Sequence, residues 1–257
     1  MFNCIIHFKI EIEVKMKKIL LSSLLASSLV MAADVNYDES NKLITHTEFG
    51  YISTTGNTET KTYSLDSKIK KGFDKHLLAL SFDGQYAEDS DIETKNKYLI
   101  ELTYDYELTS KLAFKYLFGY KDDKFSGYNY QLYTGPGVSY KALELENQNL
   151  SLDSIVLYSK DKLDGASAIS NDYTSLRVNA TYEWQVLEDL EFTQEASYRT
   201  DIEDVDNYFV FSKTAFSSKI SDIFSAGISY KVDYTNLEAD GKESTDKTLT
   251  ANLSIDY

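Results

Sequence analysis

Residues able to do chemistry are few and scattered. Two of the three histidines, His46 and His76, fall in segments that read as strands. Either imidazole could serve as a general base toward a serine, as a lipid hydrolase requires, yet neither accompanies a nucleophile motif. No HxH or HExxH spacing includes them, and a metal site needs several convergent ligands. The expectation is therefore no catalytic residue, no metal ligand and no cofactor. Acidic clusters occur at Glu88-Asp89-Ser90-Asp91, Asp201-Ile202-Glu203-Asp204-Val205-Asp206 and Glu238-Ala239-Asp240. They admit calcium ligation or, more plainly, solvated loops bridged by divalent cations to lipopolysaccharide; the absence of EF-hand or nonapeptide spacing favours the plain reading. Gly56-Asn57 reads as a loop turn. Gly135-Pro136-Gly137 lies inside a strand and reads as a bulge or kink that helps curve a sheet.

The remaining charged residues of interest share a pattern rather than a motif. Tyr98, Ile100, Leu102, Tyr104 and Tyr106 alternate with Lys97, Glu101, Thr103 and Asp105. Leu112, Phe114, Tyr116, Phe118 and Tyr120 alternate with Ala113, Lys115, Gly119 and Lys121, with Leu117 as the exception. Leu176, Val178, Ala180, Tyr182 and Trp184 oppose Arg177, Asn179, Thr181 and Glu183, and further on Ile228, Tyr230 and Val232 oppose Ser229, Lys231 and Asp233. Period two with one apolar and one polar face is the signature of strands. Lys68, Lys70, Glu191, Glu195 and Arg199 fall on polar faces of the same kind.

These segments run about eleven to fourteen residues, against about five or six for ordinary strands and about nine to eleven for tilted transmembrane strands. About twelve of them can be placed by this alternation: 43–54, 61–71, 76–87, 95–107, 111–122, 128–141, 148–160, 172–187, 189–200, 207–219, 223–235 and 246–257. Those starting at 43, 148 and 207 alternate poorly, so their facing is open. Connections alternate between short (72–75, 108–111, 143–147, 188–189, 221–222) and mostly longer and polar (55–60, 88–94, 121–127, 161–171, 202–206, 237–244). The prediction is an all-β, antiparallel, up-and-down transmembrane barrel over 43–257, with short turns and both ends periplasmic. The composition agrees: 21 Tyr and 13 Phe suit pleated surfaces, and a single Pro leaves backbone donors free for ladders. On a barrel in lipid, charged polar faces must line the lumen. Lys97, Glu101, Asp105, Lys115, Arg177, Glu183, Glu195, Arg199, Lys231 and Asp233 are the expected lumen-lining set.

The N-terminal region reads separately. Met16-Lys17-Lys18, an apolar run to Val30, and Met31-Ala32-Ala33 have the layout of a secretory signal peptide over 16–33. Residues 1–15 then read as a gene-model extension, and 34–42 as a periplasmic N-terminal segment. The one cysteine, Cys4, falls in that extension, so no disulfide is expected. A net charge of −15 excludes a nucleic-acid partner.

Residues 50–60, Gly-Tyr-Ile-Ser-Thr-Thr-Gly-Asn-Thr-Glu-Thr, resemble the opening of a family described as salt-induced outer-membrane proteins, domain of unknown function 481. Residues 120–128 (Tyr-Lys-Asp-Asp-Lys-Phe-Ser-Gly-Tyr) and 135–140 (Gly-Pro-Gly-Val-Ser-Tyr) resemble its central stretches, with Ser139 where Gly is common. The resemblance implies an outer-membrane barrel of a Gram-negative cell, an envelope-stress role and no catalytic residues. The alternating end, Leu253-Ser254-Ile255-Asp256-Tyr257, resembles the signal read by barrel-assembly machinery. Expected partners are therefore that machinery, outer-membrane lipid and lipopolysaccharide. Function divides into a narrow channel, cation-preferring on account of the acidic loops, and a structural barrel whose interior charges pair and plug it.

Overall fold

The computed structural model describes residues 43–54, 59–163, 170–237 and 243–256. Segments 1–15, 16–33 and 34–42, the Gly56-Asn57 turn, Glu238, Asp240 and Tyr257 lie outside the described residues. The described residues form twelve strands and no helix. In chain order they are β1 (Leu43–Thr54), β2 (Thr60–Phe73), β3 (His76–Asp89), β4 (Ile92–Glu107), β5 (Leu112–Asp123) and β6 (Tyr128–Glu144), followed by β7 (Gln148–Leu163), β8 (Ser170–Leu187), β9 (Leu190–Asp201), β10 (Tyr208–Lys219), β11 (Phe224–Thr235) and β12 (Thr245–Asp256). Each strand pairs antiparallel with the next, and β1 pairs with β12, His46 opposite Asp256, to close the barrel. Closure leaves no unpaired sheet edge.

Polarity is inverted relative to a water-soluble domain. Leu80, Leu102 and Phe118 stand side by side on β3, β4 and β5, all exposed on the outer surface. Lys97, Lys213 and Lys231 are among the most buried side chains, because they point into the lumen. Since side chains alternate faces along a strand, one register decides both faces at once.

Two expectations need correction. The connection over 88–94 is not a long loop. β3 and β4 run on to Asp89 and from Ile92, leaving Ser90 and Asp91 at the tip with φ of 50° and 62°. Positive φ at both central residues is the type I′ geometry whose twist matches that of the flanking strands. The acidic residues there act locally: Glu88 accepts from Lys61 of β2 at 2.9 Å. Nor is Gly135-Pro136-Gly137 a bulge, because the β6–β7 register is the same on either side of it, Thr134 opposite Tyr158 and Gly137 opposite Ile155. What the glycines provide is room. A Cβ at Gly135 or Gly137 would collide with the β7 backbone at Val156 and Ser154.

Five connections of two to four residues lie at one end, between β2 and β3, β4 and β5, β6 and β7, β8 and β9, and β10 and β11; at the other end those between β3 and β4 and between β5 and β6 are as short. The start of β1 and the end of β12 lie at this same end, here termed the turn end; the opposite one is the loop end.

Candidate functional site

The lumen is a large concave region bounded by the described residues, and it is divided. At the turn end a cavity of about 590 Å³ reaches inward from Lys75, Ser110 and Lys111. Toward the loop end lies a second of about 240 Å³, bounded by Lys97, Lys231, Asp233 and Thr235. The two share walls at Lys68, Glu101, Arg177 and Glu195, which places those side chains at the waist between them.

The waist is built from β4, β6 and β8. Arg177 Nη1 donates to Glu101 Oε1 at 2.5 Å, and the Tyr133 hydroxyl donates to the same oxygen at 2.5 Å. Arg177 Nε donates to Asn179 at 2.8 Å, which holds the guanidinium at its root. Tyr133 lies flat across β5 because Gly119 has no side chain; a Cβ there would strike the phenol ring. Beneath the ring, Leu117, Ile155 and Leu157 form an apolar cluster inside the lumen, with Leu99 packed against it. This explains why Leu117 breaks the alternation of its strand: it faces inward with the polar set, and its partners there are apolar.

On the loop side of the waist the charges span the interior. Lys97 of β4 donates to Asp233 of β11 at 2.6 Å, although β3, β2, β1 and β12 separate those strands round the wall. Lys213 bonds Glu48 and Asp66, each at 3.0 Å. Lys231 donates to Asp66 at 3.3 Å and also to Asp83. Asn252 donates to Glu48 at 2.9 Å, closing the network over β1. On the turn side, Lys115 donates to Asp105 at 3.1 Å and stands 3.6 Å from Asp153.

Every residue of the expected lumen set lines one cavity or both. Lys97, Arg199, Lys231 and Asp233 border the loop-side cavity, Asp105, Lys115 and Glu183 the turn-side one, and Glu101, Arg177 and Glu195 both. The set is not one cluster. Lys115 with Asp105 is separate from Arg177 with Glu101 and from Lys97 with Asp233. Glu48, Asp66, Asp83 and Lys213, which carry the densest network, escaped sequence reasoning. For Asp83 a signal existed, since Ser81, Asp83 and Gln85 alternate with Leu80, Phe82 and Tyr86. For Lys213 it was masked, because Phe209 and Phe211 share its inward face while Ser212 and Thr214 face out. Those outward hydroxyls are satisfied by Gln194, which donates to Ser212 at 3.0 Å and accepts from Thr214 at 2.6 Å.

The histidines take other roles. His46 lies 3.0 Å from Glu48 in the lumen. His76 lies on the outer surface, 2.7 Å from the Tyr104 hydroxyl and stacked on Phe73. Neither contact is with a nucleophilic hydroxyl of serine or threonine.

Comparison with solved structures gives a likeness of fold. The NanC porin matches with a TM-score of 0.51 at 10% identity, covering 84% of this chain and 99% of its own. The translocator domain of the autotransporter NalP from Neisseria meningitidis matches with a TM-score of 0.47 at 8% identity, covering 95% of each chain. No curated protein matches in sequence. A family model does, over residues 47–257, which takes in β2 to β12 and β1 from Thr47 onward. This chain therefore belongs to the family described as protein of unknown function, DUF481.

Proposed function

We propose that the protein is a non-enzymatic outer-membrane barrel acting as a narrow channel, with its passage constricted at the Glu101–Arg177 waist. Its membrane placement is supported by the outer face, which carries aromatic clusters at both ends. Near the loop end Tyr51, Tyr63 and Tyr86 contact across three strands, as do Tyr198, Tyr208 and Tyr234. Near the turn end Phe73, His76 and Tyr106 form one group, and Tyr182, Phe192 and Phe216 another. On β3, His76 and Tyr86 are about ten residues apart, ~34 Å along a strand and ~25 Å along the axis at ~45° tilt. That is the height of the apolar band of an outer-membrane barrel flanked by aromatic girdles. Lipid and lipopolysaccharide would surround it, and barrel-assembly machinery would insert it. An envelope-stress role belongs to the same proposal and is supported by the sequence of residues 50–60.

If Leu102 faces hydrocarbon near mid-height, Leu102→Arg is expected to cost about 2–4 kcal/mol in lipid vesicles. Urea unfolding in vesicles reads this directly, and a change within experimental error would remove the membrane assignment of this face. The channel reading is carried by one observation, the two cavities that meet at shared walls. Reconstitution in planar bilayers is expected to give discrete, small conductance steps. A second reading, a structural barrel with a plugged lumen, is favoured by the ion pairs that reach across the interior. It predicts no steps from the intact protein and leakage only when those pairs are broken.

A further inference from the structure

Most charged side chains in the loop-side cavity are matched by an ion-pair partner among the described residues; of those that are not, Lys68, Lys121, Glu195 and Arg199, only Arg199 is buried. Arg199 lies on the cavity wall with its guanidinium between two rings, 4.9 Å from the centroid of Tyr133 and 4.3 Å from that of Phe209. It is only 7% exposed, and its Nη1 has no hydrogen-bond acceptor among the described residues. Arg177 sits directly opposite it in the β8–β9 register. Like charges placed opposite one another repel, so this pairing costs stability unless negative charge lies between them. Gln131, 3% exposed on the same cavity, has its own buried donor, Nε2, without an acceptor.

Buried donors left unsatisfied are destabilising, and native structures retain few of them without a reason. Apart from Glu195, which stands four residues before Arg199 on the inward face of β9, the carboxylates that line this cavity are committed elsewhere. Glu101 is taken by Arg177 and Tyr133, Asp233 by Lys97, and Asp66 and Asp83 by Lys213 and Lys231. Asp161, opposite Gln131 in the β6–β7 register, accepts from Tyr173 through Oδ2 at 2.8 Å; its Oδ1 is buried without a donor, it makes no ion pair with Arg199, and it lies outside the cavity lining. Lys68 and Lys121 also line this cavity, and its lysines and arginines outnumber its carboxylates, although the chain as a whole is acidic.

We propose that the loop-side cavity binds a small soluble oxyanion, carboxylate or phosphate, with Arg199 Nη1 and Gln131 Nε2 as its donors. A planar guanidinium pre-oriented by two rings suits such a group, since it loses little freedom on binding and presents its N–H edge in a fixed plane. The proposal deepens the channel reading by naming a solute class, and it reverses the preference that the acidic loops suggest.

Inorganic phosphate is the probe, titrated calorimetrically against the full chain refolded in detergent, at constant ionic strength set with chloride. Saturable binding is expected for the unaltered protein, with at least a tenfold loss in Arg199→Gln and a smaller loss in Gln131→Leu. Arg199→Lys should lie between, because it keeps the charge and loses the planar fork. Heat-modifiability gels establish that each variant is folded. If Arg199→Gln does not fold, the unaltered protein decides alone: absence of saturable binding overturns the proposal, as does equal binding by folded Arg199→Gln. The readout does not depend on conduction. Phosphate binding without bilayer conductance would sink the channel and keep the site, whereas conductance without binding would do the reverse.

Discussion

Arg177→Gln is expected to raise the single-channel conductance while lowering stability by about 3 kcal/mol. The two effects have one cause. Arg177 and Glu101 hold each other across the waist at 2.5 Å, and both are largely shielded from solvent. Removing the guanidinium opens space at the junction of the two cavities. It also leaves the Glu101 carboxylate with the Tyr133 hydroxyl as its one side-chain hydrogen-bond donor among the described residues. A charge stripped of its partner costs far more than the pair contributes, because the desolvation of the survivor is no longer offset. The cost belongs at the low end of the usual range because the lumen cavities admit water. A double variant, Glu101→Gln with Arg177→Gln, separates the effects: stability should largely recover, since neither charge remains, while the conductance stays raised. Paired bilayer recordings and urea titrations read both quantities. Unchanged conductance in the double variant would move the constriction elsewhere.

The second large effect is expected at Asp66. Its carboxylate accepts from Lys213 at 3.0 Å and from Lys231 at 3.3 Å, making it the bridge between two buried ammonium groups. In Asp66→Asn the side chain keeps its shape and loses its charge, so the lysines face each other with Glu48 and Asp83 as their remaining ion-pair partners among the described residues. A loss of about 3–5 kcal/mol is expected. Lys121→Gln is the control: Lys121 lines the same cavity, and its change should stay within about 0.5 kcal/mol. The single tryptophan, Trp184, sits half-exposed on the outer face near the turn end and reports unfolding without disturbing the lumen. If Asp66→Asn and Lys121→Gln were equally mild, the network would be a surface-like arrangement screened by lumenal water.

Much of the architecture is legible in the residue order because it depends on local period. Where apolar and polar residues alternate over a dozen positions, as from Tyr98 to Tyr106, only one strand facing suits lipid outside and charge within, so segment and facing follow together. The ends of strands are less legible. Strands continue past the apolar band wherever a turn allows, as the Ser90–Asp91 tip shows, and nothing apolar marks that extension.

What alternation could not supply is the contents of the lumen. Ile155, Val156, Leu157 and Tyr158 read as an undifferentiated apolar run. Ile155 and Leu157 are apolar on the inner face because Gly135 and Gly137 bring β7 close and Leu117 and Tyr133 wait there. β10 is blurred for the complementary reason, with Phe209 inside stacked on Arg199 and Ser212 outside bonded to Gln194. The partners of Lys97, Lys213 and Lys231 lie more than a hundred residues away in the chain, and only closure of the barrel sets them within hydrogen-bond reach. Period two along each strand therefore determines which residues face inward. Which of them meet, and which donor at Arg199 is left without an acceptor, is decided by the closure and stagger of twelve strands, a property of the whole wall that no single segment carries.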